Sequence, residues 1–421
     1  MIALAWIAVM SVQAQDFDRY FENKTLRINY LHTGDAQSEK FTLKEYHAGG
    51  VWSGTRAFLM EPNRYGDILI EVFDSISGVP VFSRSYDCLF NEYRATEEAK
   101  TVTRDFQECI NIPFPKQTIK YTITCFNRLG VGTVLFAGYF NPKSTPTVPF
   151  SDDYTTVTLH QGGAPEKCLD ILFVPDGYSK ADAELLDKDL KDFTSYVLDC
   201  SPYKENKNRF NIHAVKCYSQ ESGITDPNKG IRRNTAIGCS YNTINTDRYL
   251  MCENVWLLYD VSDDTPFDVI VILCNSKKYG GGGIFNFYAT VCNGAPEANF
   301  VVVHEMGHLI GGLADEYDAN GSGEDYFPAG VEPKEPNVTT LVDFGSKWKF
   351  MMDPKTPIPT PETPEYNGKL GVYEGAGYVG EGVYRPWLDC SMKDIIYDNF
   401  CPVCTKVLVE IFDYYSNRES K

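Results

Sequence analysis

Over residues 25–140 apolar and polar positions alternate in short runs. Residues 67–73 (DILIEVF) and 117–124 (QTIKYTIT) change character at nearly every second position, the period of a strand with one buried face. Turn-forming stretches at 63–66 and 127–130 separate such runs, and no long helical pattern interrupts them. The spacing predicts a β-sandwich. Residues 141–149 hold three prolines among polar residues and read as a linker.

Beyond the linker the period changes. Residues 170–175 (DILFVP) and 267–273 (FDVIVIL) are continuous apolar runs, as in strands of a sheet covered on both faces. Residues 210–215 predict another strand. Residues 181–198 repeat apolar positions at helical spacing through Leu185, Leu186, Leu190, Phe193 and Val197. Strands alternating with helices predict an α/β domain. Residues 353–364, with five prolines, predict a loop. The expected fold is α+β and multidomain, with an N-terminal β-sandwich over residues 16–150 and an α/β domain over 151–421.

The first twelve residues form an apolar run followed by Gln13-Ala14-Gln15. The run is too short to span a bilayer and has a small-x-Ala cleavage pattern. It predicts a signal peptide over residues 1–14 and a chain that is secreted, periplasmic or at the cell surface. No later stretch has the length and apolarity of a membrane span. Thirteen cysteines fit an oxidising compartment, and a structural disulfide involving Cys390, Cys401 or Cys404 is expected. Lys and Arg number 39 and Asp and Glu 57, a net charge of −18. A surface that acidic repels phosphate backbones, which argues against nucleic acid as a partner.

Candidate chemistry concentrates at residues 304–308, His-Glu-Met-Gly-His, inside an apolar stretch. On a helix, positions i and i+4 lie about 40° apart around the axis, so His304 and His308 can reach one ion. Zn²⁺ accepts imidazole nitrogen readily. Glu305, about 100° away, is placed to take a proton from a water at the metal. Gly311-Gly312 can end the helix and reverse the chain, and no His follows His308. A third ligand after the turn must then be a carboxylate, Asp315 or Glu316, with Asp315 preferred. Tyr384 and Tyr397 are considered as oxyanion donors and left out of the site. His32, His47, His160 and His213 are read as structural. The glycines at 280–283 read equally as a hairpin tip or as an open strand edge for an extended peptide.

His304-Glu305-x-x-His308 followed by Gly312-Leu313-Ala314-Asp315-Glu316-Tyr317 resembles the M64 family of secreted bacterial metallopeptidases, the IgA peptidase family. Residues 174–178, 209–211, 279–284, 384–386 and 390–392 resemble it too. Residues 89–93 and 113–116 resemble the β-rich N-terminal domain often attached to such peptidases. The resemblance implies a metzincin-like zinc metallopeptidase domain with an acid as third ligand. Asp315 keeps the metzincin offset of three from Gly312, and Met392 corresponds to the methionine turn beneath the metal. It implies one catalytic Zn²⁺, a protein or glycoprotein substrate, and an endopeptidase acting on extracellular, including host, proteins. The alternative reading is an exported glycan- or protein-binding protein with a vestigial peptidase site. Glu305 argues against it, because a binding module needs no general base.

Overall fold

The computed structural model describes residues 16–151, 153–318, 326–394 and 399–417. The expected signal peptide and Tyr397 lie outside the described residues. The chain is a mixed α/β protein with several sheets. Its N-terminal part holds β1 (Phe21–Gly34), β2 (Glu39–Gly49), β3 (Ile68–Asp74), β4 (Pro80–Tyr86), β5 (Arg104–Pro115), β6 (Ile119–Phe126) and β7 (Gly132–Phe140). One sheet has the order β5-β1-β2 and another β4-β3-β6-β7. In β3 the alternation reads as expected: Ile68, Ile70 and Val72 are buried, while Leu69 and Glu71 are half-buried. Tyr46 of β2 meets Tyr121 of β6 at 2.7 Å through their hydroxyls. Phe114 of β5 packs on Phe140 of β7 with ring centroids 5.8 Å apart.

The expected linker is tied to this part of the molecule. Its end forms β8 (Val148–Pro149), which pairs in parallel with His47 and Ala48 of β2. Six further strands follow: β9 (Thr155–His160), β10 (Leu169–Asp176), β11 (Phe210–Lys216), β12 (Val269–Cys274), β13 (Gly281–Gly283) and β14 (Tyr288–Cys292). They make one sheet in the order β13-β14-β12-β10-β11-β9. The four inner strands are parallel and the two outer ones antiparallel to their neighbours. A small hairpin, β15 (Tyr373–Ala376) and β16 (Val379–Arg385), stands apart from it.

The continuous apolar runs are buried on both faces, and each face belongs to a different core. Leu169, Ile171 and Phe173 of β10, with Val269, Val271 and Leu273 of β12, pack with the helices Ala183–Asp199, Ala298–Gly311 and Pro402–Tyr415. Leu172, Val174, Ile270 and Ile272 point the other way, into a core continuous with that of β1–β7. The helix Ala183–Asp199 buries Leu186, Leu190, Phe193 and Val197. Leu185 departs from the expected stripe and is 38% exposed. It lies about 100° around the axis from Leu186, which takes it off the buried face.

Candidate active site

The helix Ala298–Gly311 carries His304, Glu305 and His308, and is apolar enough to be buried on almost every side. It stops at Gly312, whose φ of 56° is left-handed and favours glycine. The Gly312 N–H donates to the His308 carbonyl at 3.0 Å. That reversal brings Asp315 back over the helix. Asp315 Oδ1 lies 3.1 Å from His304 Nε2 and 3.4 Å from His308 Nε2, and the two Nε2 atoms are 3.1 Å apart.

The outer nitrogens explain why these atoms converge. His304 Nδ1 meets the Ser391 carbonyl at 2.7 Å, and His308 Nδ1 meets the Leu313 carbonyl at 2.6 Å. A carbonyl accepts only, so each Nδ1 donates and each Nε2 can turn a lone pair inward. Asp315 Oδ1 is buried and accepts no hydrogen bond, while Oδ2 accepts from the Tyr378 hydroxyl and from Tyr317 at 3.2 Å. Zinc–nitrogen and zinc–oxygen bonds of about 2.0–2.2 Å give tetrahedral edges of about 3.4 Å. The three spacings fit such an ion.

Glu316, the other carboxylate considered for the third ligand, turns elsewhere. Its Oε1 accepts from Asn337 at 2.9 Å and lies 3.1 Å from Cys404 Sγ. The structure therefore brings His304, Glu305, His308 and Asp315 together and separates Glu316 from them. Met392 is fully buried beneath the helix, so close that a Cβ on Gly307 would come within 2.5 Å of its sulfur.

Charge at the site follows from burial and proximity. Burial pushes the Glu305 carboxyl up, against the pull of His304 and His308. Burial also works to raise Asp315, but the two imidazoles win and hold it well below the usual carboxylate range. Burial alone would lower His308; Asp315 and Glu305 overcome it and push it up to about 9. His304 moves upward for the same reasons.

These residues line a cleft of about 610 Å³ whose walls come from both parts of the chain. Asp67, Asp87, Glu92 and Arg128 contribute from the N-terminal part, and Gly281, Gly282 and Gly283 from β13. The glycine run is thus a strand at the outer edge of the six-stranded sheet, rather than a hairpin tip. Sequence reasoning missed Tyr317, Tyr378, Arg248 and Tyr279, all in the cleft. Tyr317, adjoining the acidic pair, was the one with a local signal. Tyr384 lies in β16 with its phenol facing Glu374. His32, His47, His160 and His213 do not line the cleft.

The expected disulfide is not formed: Cys390 Sγ and Cys404 Sγ are 3.9 Å apart, far from the roughly 2.0 Å of a sulfur–sulfur bond. The three thiols instead gather around Glu316.

The family model described as IgA Peptidase M64 matches residues 157–366 and 362–412, and the one described as Peptidase M64 N-terminus matches residues 16–136. The chain belongs to the M64 peptidase family. No curated protein matches it. In this M64 peptidase the first match contains the helix, the turn and the methionine, and the second contains most of β1–β7. Membership makes the chain a peptidase with a protein substrate, in a family that is generally metal-dependent. Among the described residues no helix is long and apolar enough to cross a membrane.

Proposed function

We propose that this M64 peptidase is an exported zinc endopeptidase that hydrolyses peptide bonds of extracellular proteins or glycoproteins. The observation that carries the reading is the convergence of His304 Nε2, His308 Nε2 and Asp315 Oδ1 within 3.4 Å beside the buried Glu305. When bound there, Zn²⁺ supplies a Lewis acid for the scissile carbonyl and lowers the pKa of a water. His304, His308 and Asp315 would hold the ion, with the Ser391 and Leu313 carbonyls fixing the two rings. Glu305 takes the proton from the attacking water and delivers it to the leaving amine. Burial raises its carboxyl, which favours taking up the proton it then passes on.

The outer edge of β13 offers backbone donors and acceptors to an extended substrate beside Glu305. Arg248 reaches the same cleft and carries positive charge where a carbonyl oxygen gains negative charge. The N-terminal strands are read as a β-sandwich accessory domain that supplies the opposite wall of the cleft. The C-terminal part is read as a metzincin-like fold. Export rests on the leader pattern at residues 1–14.

Glu305→Gln should keep its zinc and lose about 10²–10⁴-fold in turnover of a peptide library. A chelator should abolish wild-type cleavage, and added Zn²⁺ should restore it. Wild-type turnover in Glu305→Gln would overturn the mechanism, and cleavage indifferent to chelation would overturn the metal.

A further inference from the structure

Among the described residues, three clusters of potential metal-binding side chains are present besides the histidine site. In one, His32 spends both ring nitrogens on Glu108 and Glu39. In another, His47, Asp260 and Asp263 already surround the Arg27 guanidinium. In the third, Asn337 donates to Glu316 Oε1 at 2.9 Å, but Glu316 Oε2 has no partner and no cation sits among the side chains. Cys390, Cys401, Cys404 and Glu316 are all buried, and one ligand atom from each lies within 4.8 Å of all the others.

We propose that Cys390, Cys401, Cys404 and Glu316 bind a second, structural zinc ion. The spacings suit a tetrahedron. Zinc–sulfur bonds of about 2.3 Å set sulfur–sulfur edges near 3.8 Å, and mixed sulfur–oxygen edges near 3.5 Å. Cys390 Sγ and Cys404 Sγ are 3.9 Å apart, and Glu316 Oε1 lies 3.1 Å from Cys404 Sγ and 4.0 Å from Cys401 Sγ.

A second observation is the state of Glu316. Its side chain is wholly buried, Oε2 has no hydrogen-bond partner, and no basic side chain among the described residues pairs with it. A buried carboxylate with neither cation nor full hydrogen bonding is costly, and a metal ion removes that cost. Backbone N–H groups also face the sulfurs: Met392 and Cys401 toward Cys390 Sγ at 3.5 and 3.3 Å, and Cys404 toward Cys401 Sγ at 3.5 Å. Such donors stabilise thiolates. On binding, each thiol loses its proton to solvent as its sulfur–metal bond forms, with no change of oxidation state.

The position of this ion gives it a task. Glu316 adjoins Asp315, and Cys390 adjoins Ser391, whose carbonyl holds His304. The Glu316 N–H also donates to the Met392 carbonyl at 2.8 Å. One ion would therefore pin both supports of the catalytic centre to the start of the helix Pro402–Tyr415.

The test is metal content of the full chain, purified under reducing conditions, saturated with Zn²⁺ and desalted. Two zinc ions per chain are expected, and one in His304→Ala/His308→Ala, which leaves the cysteines untouched. In that variant Co²⁺ should give thiolate-to-cobalt charge-transfer absorption, which imidazole and carboxylate ligands do not produce. Cys390→Ser/Cys404→Ser should lose the band. If the double-histidine variant holds no zinc and shows no cobalt band, the proposal is wrong. Mass mapping that finds Cys390 bonded to Cys404 in the native chain would overturn it equally. Loss of peptide cleavage by wild type with two zinc ions still bound would count against the peptidase reading alone.

Discussion

Asp315 and Glu316 are neighbours in the chain, yet their carboxylates keep different company. Asp315 faces two imidazoles and two phenols; Glu316 faces thiols and an amide. Asp315→Ala should therefore strip zinc from the histidine site. Tyr378→Phe should weaken that site more gently, by about 10–100-fold, because it removes only a donor to the outer oxygen. Competition with a chelating dye ranks the two. Equal affinity in wild type and Tyr378→Phe would show that the phenol does not orient the carboxylate.

The histidines also set a pH dependence for chelated protein. His308 is raised from 6.5 to about 9. The folded chain then holds this proton more tightly than the unfolded chain does. The resulting stability is fully present below about pH 6.5 and lost as pH rises through about 9. Melting of chelated protein should fall across that window, while zinc uptake at pH 7 should release protons. A melting temperature that rises over the same interval would contradict the shift. The grouping of His304 and His308 was legible because helix geometry ties residues four apart. Tyr378 was not, since it lies 63 residues from Asp315 and reaches it only through the β15–β16 hairpin.

At the scale of elements, the reversal at Gly312 decides where the Asp315 carboxylate arrives. Gly312→Ala must hold φ near 56° with a side chain, and its Cβ would approach Tyr65 Cβ to 2.9 Å. The conformational part alone costs about 1–2 kcal/mol. Thermal melts should show that loss together with weaker zinc binding. Unchanged stability and affinity would mean the turn tolerates another path. Glycine after a helix with a zinc-ligand spacing was a readable stop signal, and periodicity placed the strands at 67–73 and 170–175. Leu185 was misjudged because hydrophobicity does not say which edge of a stripe a neighbour covers. The cysteines were misjudged because spacing cannot distinguish a bond between sulfurs from sulfurs gathered around a common centre.

Across the whole molecule, the two parts share more than a boundary. Ser53 donates to the Phe267 carbonyl at 2.6 Å, Trp256 to the Glu108 carbonyl at 3.0 Å, and Asn286 to the Ser85 carbonyl at 2.8 Å. Lys334 bridges Asp67 at 2.9 Å and Asp87 at 2.8 Å. Lys334→Met would leave Asp87 without a cation and Asp67 with only the more distant Arg128, 3.8 Å away, a loss of about 3 kcal/mol for a buried pair. Calorimetry should show one transition moving down as a unit. A split into two transitions would show that the parts unfold separately. None of this coupling was legible in the sequence, because alternation reveals that a face is buried but not which distant segment covers it.

The common core also ties the completion of folding to the progress of synthesis. Strands β1–β7 leave the ribosome first, but the apolar surface they share with Leu172, Val174, Ile270 and Ile272 stays uncovered until residue 272 has emerged. For that interval the nascent chain presents an incomplete core to its surroundings, so a chaperone or an export channel that keeps it unfolded protects it from aggregation. A chain stopped before β12 lacks Ile270 and Ile272, and so carries an unfinished interior.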